Sequence, residues 1–157
     1  MSTTPSTLSR STSIAAFPDR VFALVSDLPG MGRFSPENAG VRWLGGATGP
    51  AVGAGFRGQN RRGLHRWSTR CTVTRCEPGR AFGFAVSSIG LPVADWTYEI
   101  EPEGKGCRLT ETWTDRRGGL ITVAGRLVTG VADRSAFTAQ SIERTLAAVK
   151  AAAEKQV

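Results

Sequence analysis

The chain predicts an α+β fold: a curved antiparallel sheet wrapped around one long C-terminal helix. Three observations carry this. From residue 40 to residue 114 the apolar residues alternate in short runs, each run closed by Gly, Pro or a charged turn. No helix-period segment separates those runs, so neighbouring strands are joined by hairpins, which make antiparallel pairs. After residue 117 the period becomes helical and ends in a long final helix. A length of 157 residues with 40% hydrophobic content fits one ordinary domain, taken as residues 1–157, and excludes a disordered chain.

Each element has its own local reason. Residues 1–7 are polar and are expected to fray. Residues 8–14 read as a first strand. In Phe17-Pro18-Asp19-Arg20-Val21-Phe22, Pro18 suits the first turn of a helix and Asp19 its positive end. Pro29, Gly30, Gly32 and Pro36 leave room only for a short, broken helix after it. Strands are expected at 40–46, 53–61, 66–76, 81–87, 93–100 and 107–114. Their punctuation is Arg62-Gly63, Glu77-Pro78-Gly79-Arg80, residues 90–92 and Glu103-Gly104-Lys105-Gly106. Leu120, Val123, Ala124 and Leu127 share a helical face. Asp133 is a suitable N-cap for a helix over 134–154, whose apolar face carries Ala139, Ile142, Leu146, Val149 and Ala153. Lys150 and Lys155 stand near its negative end.

The charge balance is 20 Lys+Arg against 13 Asp+Glu, a net +7. Its densest cluster is Arg57, Arg61, Arg62, Arg66 and Arg70. A basic surface can serve nucleic acid or an anionic membrane. No run of five like charges and no aromatic RNA-binding signature supports that, so both partners rank last. Cys71, Cys76 and Cys107 form no CxxC pair and are read as reduced. His65 is the only histidine, and neither a metal site nor another cofactor site is expected. The longest nearly apolar stretch, 118–132, is shorter than the ~20 residues a membrane span needs. The start of the chain lacks the apolar run of a signal peptide, which makes the cytoplasm the expected compartment.

Strand parity selects the face toward the helix. It groups Val41 and Trp43, then Phe56, Gly58 and Asn60, then Trp67, Thr69, Cys71 and Val73. Phe82, Phe84 and Val86 follow, with Trp96, Tyr98 and Ile100, and finally Leu109, Glu111 and Trp113. This face is aromatic, yet it holds Glu111, Asn60 and Tyr98. A carboxyl on an apolar face is costly unless paired or wetted, and apolar walls with a few polar groups describe a small-molecule pocket. An ordinary core in which Glu111 pairs with an arginine or lies near a strand end is the competing reading. Arg57, Arg61, Arg66 and Arg70 fall largely on the opposite parity or in turns.

The Phe17-to-Phe22 helix opening belongs to an ordered set. It continues with Ser35-Pro36-Glu37-Asn38, Trp43-Leu44-Gly45-Gly46 and Gly53-Ala54-Gly55-Phe56-Arg57-Gly58. Residues 67–75, Glu77-Pro78-Gly79-Arg80, Trp96-Thr97-Tyr98 and Leu109-Thr110-Glu111-Thr112-Trp113 complete it. Together these resemble the SRPBCC superfamily, the START-like or helix-grip fold, in its polyketide cyclase/dehydrase-like branch. The resemblance spans roughly residues 8–155. It implies a seven-stranded sheet gripping the final helix, two short helices after the first strand, and a cavity for a hydrophobic ligand.

The leading expectation is a carrier or sensor for a hydrophobic or aromatic small molecule, lipids included. Its ligand-binding walls would be Trp43, Phe56, Asn60, Trp67, Phe84, Trp96, Tyr98, Glu111, Trp113, Ile142 and Leu146. The alternative is a cyclase/dehydrase-type enzyme in which Glu111, with Tyr98 or His65, moves protons. Ser35 and Glu37 would border the entrance. No oligomeric state is implied.

Overall fold

The computed structural model describes residues 7–34, 38–118 and 134–155. In chain order the elements are β1 (Thr7–Ile14), α1 (Pro18–Ser26), a 3-10 helix (Leu28–Arg33), β2 (Asn38–Trp43), β3 (Gly55–Arg62) and β4 (His65–Glu77). These are followed by β5 (Ala81–Ser88), β6 (Leu91–Glu103), β7 (Gly106–Asp115) and α2 (Arg134–Glu154). The strands form one seven-stranded sheet in the order β1-β7-β6-β5-β4-β3-β2, and every neighbouring pair is antiparallel.

Boundaries follow local chemistry. Thr7, expected to fray, pairs with Thr114 as the first residue of β1. β2 stops at Trp43 rather than residue 46, because Gly45 and Gly46 turn the chain with φ of 62° and 80°. β6 begins at Leu91, two residues before the expected start. Pro92 fits there because the β5–β6 register shifts between Val86 and Ser87, and a proline is tolerated at an irregular strand start. The Leu120 to Leu127 face and the Asp133 cap lie outside the described residues, as do Ser35 and Glu37.

The final helix matches its expected span, and its C-terminal half is tied down firmly. Arg20 of α1 donates from Nε to the Ala153 carbonyl at 2.6 Å, and from Nη2 to the carbonyls of Ala152 and Lys155 at 3.2 and 3.0 Å. These are carbonyls at the end of α2 that lack helical partners. Lys150 donates to the Ser13 carbonyl at 2.7 Å, and the Ala15 amide donates to Glu154 at 2.8 Å. The backbone of α2 lies nearest β1, then α1 and β7. Its buried face holds Ile142, Leu146, Val149 and Ala153 as expected, together with Thr138 and Thr145. Ala139 is only half-buried. Thr145 is admitted because its hydroxyl donates to the Phe34 carbonyl at 3.4 Å.

The inner face of the sheet is unevenly covered. Phe56, Cys71, Val73, Phe82, Tyr98, Ile100, Cys107, Leu109 and Trp113 are buried. Trp43, Trp67, Phe84, Val86 and Trp96 are only half-buried, although all but Trp67 pair across strands with one of them. No described helix is long and apolar enough to cross a membrane.

Candidate functional site

The expected parity holds on β3 to β7. Phe56, Gly58, Cys71, Val73, Phe82, Tyr98, Ile100, Leu109, Glu111 and Trp113 are buried, while Arg57, Arg61, Arg66 and Arg70 are exposed. Trp43 faces inward, edge-on to Phe56 at 5.7 Å between ring centroids. Phe56 in turn meets Phe84 at 5.3 Å, and Phe84 meets Phe82 at 6.1 Å. Such offset and edge contacts are the favoured geometry for aromatic pairs. The result is one continuous aromatic wall. Its outer members, Trp43 and Phe84, remain half-buried.

The polar centre of this wall is Glu111, which is 2% exposed. It stands on β7 directly opposite Tyr98 of β6 and Arg10 of β1. The Tyr98 hydroxyl donates to Glu111 Oε1 at 2.9 Å. Oε2 has no hydrogen-bond partner among the described residues. Arg10 shares the row, but its guanidinium turns to Glu143 of α2 at 3.7 Å and to the Ser9 carbonyl at 2.8 Å. The competing expectation of an interior arginine partner for Glu111 is therefore not what the described structure contains.

The electrostatics follow from that isolation. Burial pushes the Glu111 carboxyl up from 4.5 to about 8, against the smaller lowering effect of the Tyr98 hydrogen bond. Burial, then the Glu111 charge and hydrogen bond, hold the Tyr98 phenol well above its usual range. At neutral pH Glu111 is thus mostly a neutral acid, with one oxygen taken by Tyr98 and the other without a hydrogen-bond partner among the described residues.

The remaining candidates spread along the same face. Asn60 and Trp67 pair across β3 and β4, both half-buried, nearer the hairpin turn. Trp96 and Trp113 pair across β6 and β7. Ile142 and Leu146 of α2 are buried. His65 is exposed at the start of β4, paired with Arg62 and three strands from Glu111 in the sheet order. The fold therefore brings Glu111 and Tyr98 together and leaves His65 outside their row. The three cysteines are free, with Cys71 and Cys107 buried. Burial pushes the Cys71 thiol up to about 12, which removes it as a nucleophile near neutrality. Among the described residues no cluster of His, Cys, Asp and Glu is placed to hold a metal ion.

Parity extended to β1 would have placed Arg10 inside, with Leu8, Thr12 and Ile14. A second feature had no sequence signal. The β3–β4 turn and the first half of α2 border a shallow, solvent-open cleft of about 360 Å³, with Arg61, Arg62 and Gly63 on one side and Phe137, Gln140, Ser141 and Arg144 on the other.

With the sheet, the gripped helix and the inner carboxyl in place, the comparisons are specific. Residues 6–154 match the family described as polyketide cyclase/dehydrase and lipid transport. The chain belongs to this family. The solution structure of a polyketide cyclase-like protein from Corynebacterium glutamicum is 32% identical, covers 93% of this chain and 90% of its own, and superposes with a TM-score of 0.64. The di-domain ARO/CYC protein StfQ of the steffimycin biosynthetic pathway gives a TM-score of 0.75 at 15% identity, over 96% of this chain and 51% of its own. A major latex-like protein from Panax ginseng gives 0.72 at 12% identity, over 98% of this chain and 100% of its own. The last two likenesses are of fold. No curated protein sequence matches the chain.

Proposed function

We propose that this family member acts in the cytoplasm as one ligand-binding domain. It would hold a hydrophobic or aromatic small molecule between the sheet and α2, as a carrier or sensor. The observation that carries this reading is Glu111. One of its oxygens is buried with no hydrogen-bond partner among the described residues, which is costly to a folded chain, and a ligand hydroxyl or carbonyl in the cavity would meet that oxygen. The half-buried wall of Trp43, Phe84 and Trp96 supports it, since these rings face inward yet are not closed over.

The test is 2-naphthol, an aromatic probe with one hydroxyl. Binding is expected to quench tryptophan fluorescence and to raise the melting temperature by mass action. Glu111→Leu should weaken it roughly tenfold, the worth of a hydrogen bond to a buried carboxyl. A probe that leaves both signals unmoved sinks the reading. A cyclase/dehydrase reading is the second, favoured by the position of Glu111 near neutrality, where a group can both give and take a proton. It requires Glu111→Gln to abolish turnover of a poly-β-ketone substrate. Turnover that persists in that variant removes it.

A further inference from the structure

The geometry points to a binding site for the anionic head group of an amphipathic ligand, a phosphate or carboxylate, in the cleft between the β3–β4 turn and α2. It rests on the cavity reading above and extends it to the ligand's class. Three arginines line this cleft of about 360 Å³: Arg61 and Arg62 from the end of β3, and Arg144 from α2. Neither Arg61 nor Arg144 forms an ion pair with any described carboxylate. The neighbouring acid on the helix, Glu143, is engaged by Arg10 at 3.7 Å. Like charges lining one cleft repel, and an anion bound among them offsets that repulsion.

The remaining lining matches the same task. The Arg62 guanidinium lies over the Phe137 ring at 5.5 Å from its centroid. A guanidinium held against a ring still has several N–H donors left for a phosphate or carboxylate. Gln140 and Ser141 add uncharged donors from α2. The site also stands in line with the wall. Asn60 and Trp67 are the next inward pair along the same two strands, followed by Gly58 with Thr69 and Phe56 with Cys71. An apolar tail entering from the cleft would run past these residues toward Trp43, its head group held at the rim.

Dodecyl phosphate and dodecanol share a tail and differ in charge. With both presented as monomers and read by tryptophan fluorescence, the protein is expected to bind the phosphate at least about tenfold more tightly, less so as salt is raised. Arg61→Gln/Arg144→Gln replaces two exposed side chains, so the fold should survive, with its melting temperature as the control. This variant should keep dodecanol affinity and lose the preference. Vesicles of phosphatidylglycerol against phosphatidylcholine form a second arm. A charge preference seen with the vesicles, and lost in the variant, makes a bilayer head group the source. One seen with the monomer makes it a free ligand. Equal binding of charged and neutral probes, or a preference that the variant keeps, overturns the site. If neither dodecyl probe binds while 2-naphthol does, the amphipathic-ligand site falls and the cavity reading stands; if 2-naphthol fails as well, both fall.

Discussion

Glu111 couples this fold to pH. Its carboxyl is raised from 4.5 to about 8, so the folded chain holds a proton that the unfolded chain releases near the ordinary value. The stabilising contribution of that proton is full below pH 4.5 and is lost as pH rises through about 8. Within that window stability should fall by up to about 1.4 kcal/mol per pH unit. Glu111→Gln keeps an oxygen for the Tyr98 hydroxyl and has no proton to lose. Denaturant midpoints measured across the window should therefore slope downward for the wild type and lie flatter for the variant, which becomes the more stable of the two at the alkaline end. Parallel slopes would show that Glu111 is reached by water.

At the scale of elements, the decisive contact is Arg20, one residue that secures two helices. It lies in the first turn of α1 and donates to three carbonyls at the end of α2. A cation at that end also complements the helix dipole. Lys150 and Lys155 looked suited to the same task. Lys150 instead binds the Ser13 carbonyl and Glu154, and the Lys155 carbonyl is itself capped by Arg20. Arg20→Ala should lower stability by about 1–2 kcal/mol, with amide exchange accelerating first in the last turn of α2. Uniform acceleration across the sheet would argue against a local capping role. This link spans more than a hundred residues of sequence, and no local pattern announces it.

Across the whole molecule, the net charge of +7 is unevenly placed. From the end of β4 across β6 and β7, arginines meet carboxylates: Arg75 with Glu77 and Glu99, Arg108 with Glu103, Arg116 with Asp95. On the β2–β4 side, Arg42, Arg57 and Arg70 stand in one cross-strand row, and Arg61 faces Arg66. None of those five has an ion-pair partner among the described residues. Like charges directly opposite each other destabilise a sheet. Arg57→Glu would convert the row to alternating signs, and the melting temperature should rise by roughly 2 °C, less so in high salt. A fall instead would mean that Arg57 is held by contacts beyond simple repulsion.

By itself the sequence determined the strand order of hairpins, the long final helix, and which residues of β3 to β7 face inward. Each of these follows from a local rule: a period of two or 3.6, a turn residue, a proline or a cap. Glu111 and Tyr98 were legible as polar residues on an apolar face for the same reason. Only the tertiary structure decided that Tyr98 takes one oxygen of Glu111, that Arg10 turns away to Glu143, and that His65 stands apart. It alone brought Arg61, Arg62 and Arg144 to the lining of one cleft. Parity says which way a side chain leaves the sheet. Which group meets it depends on register, sheet curvature and helix placement, and those are settled by packing between segments far apart in the chain.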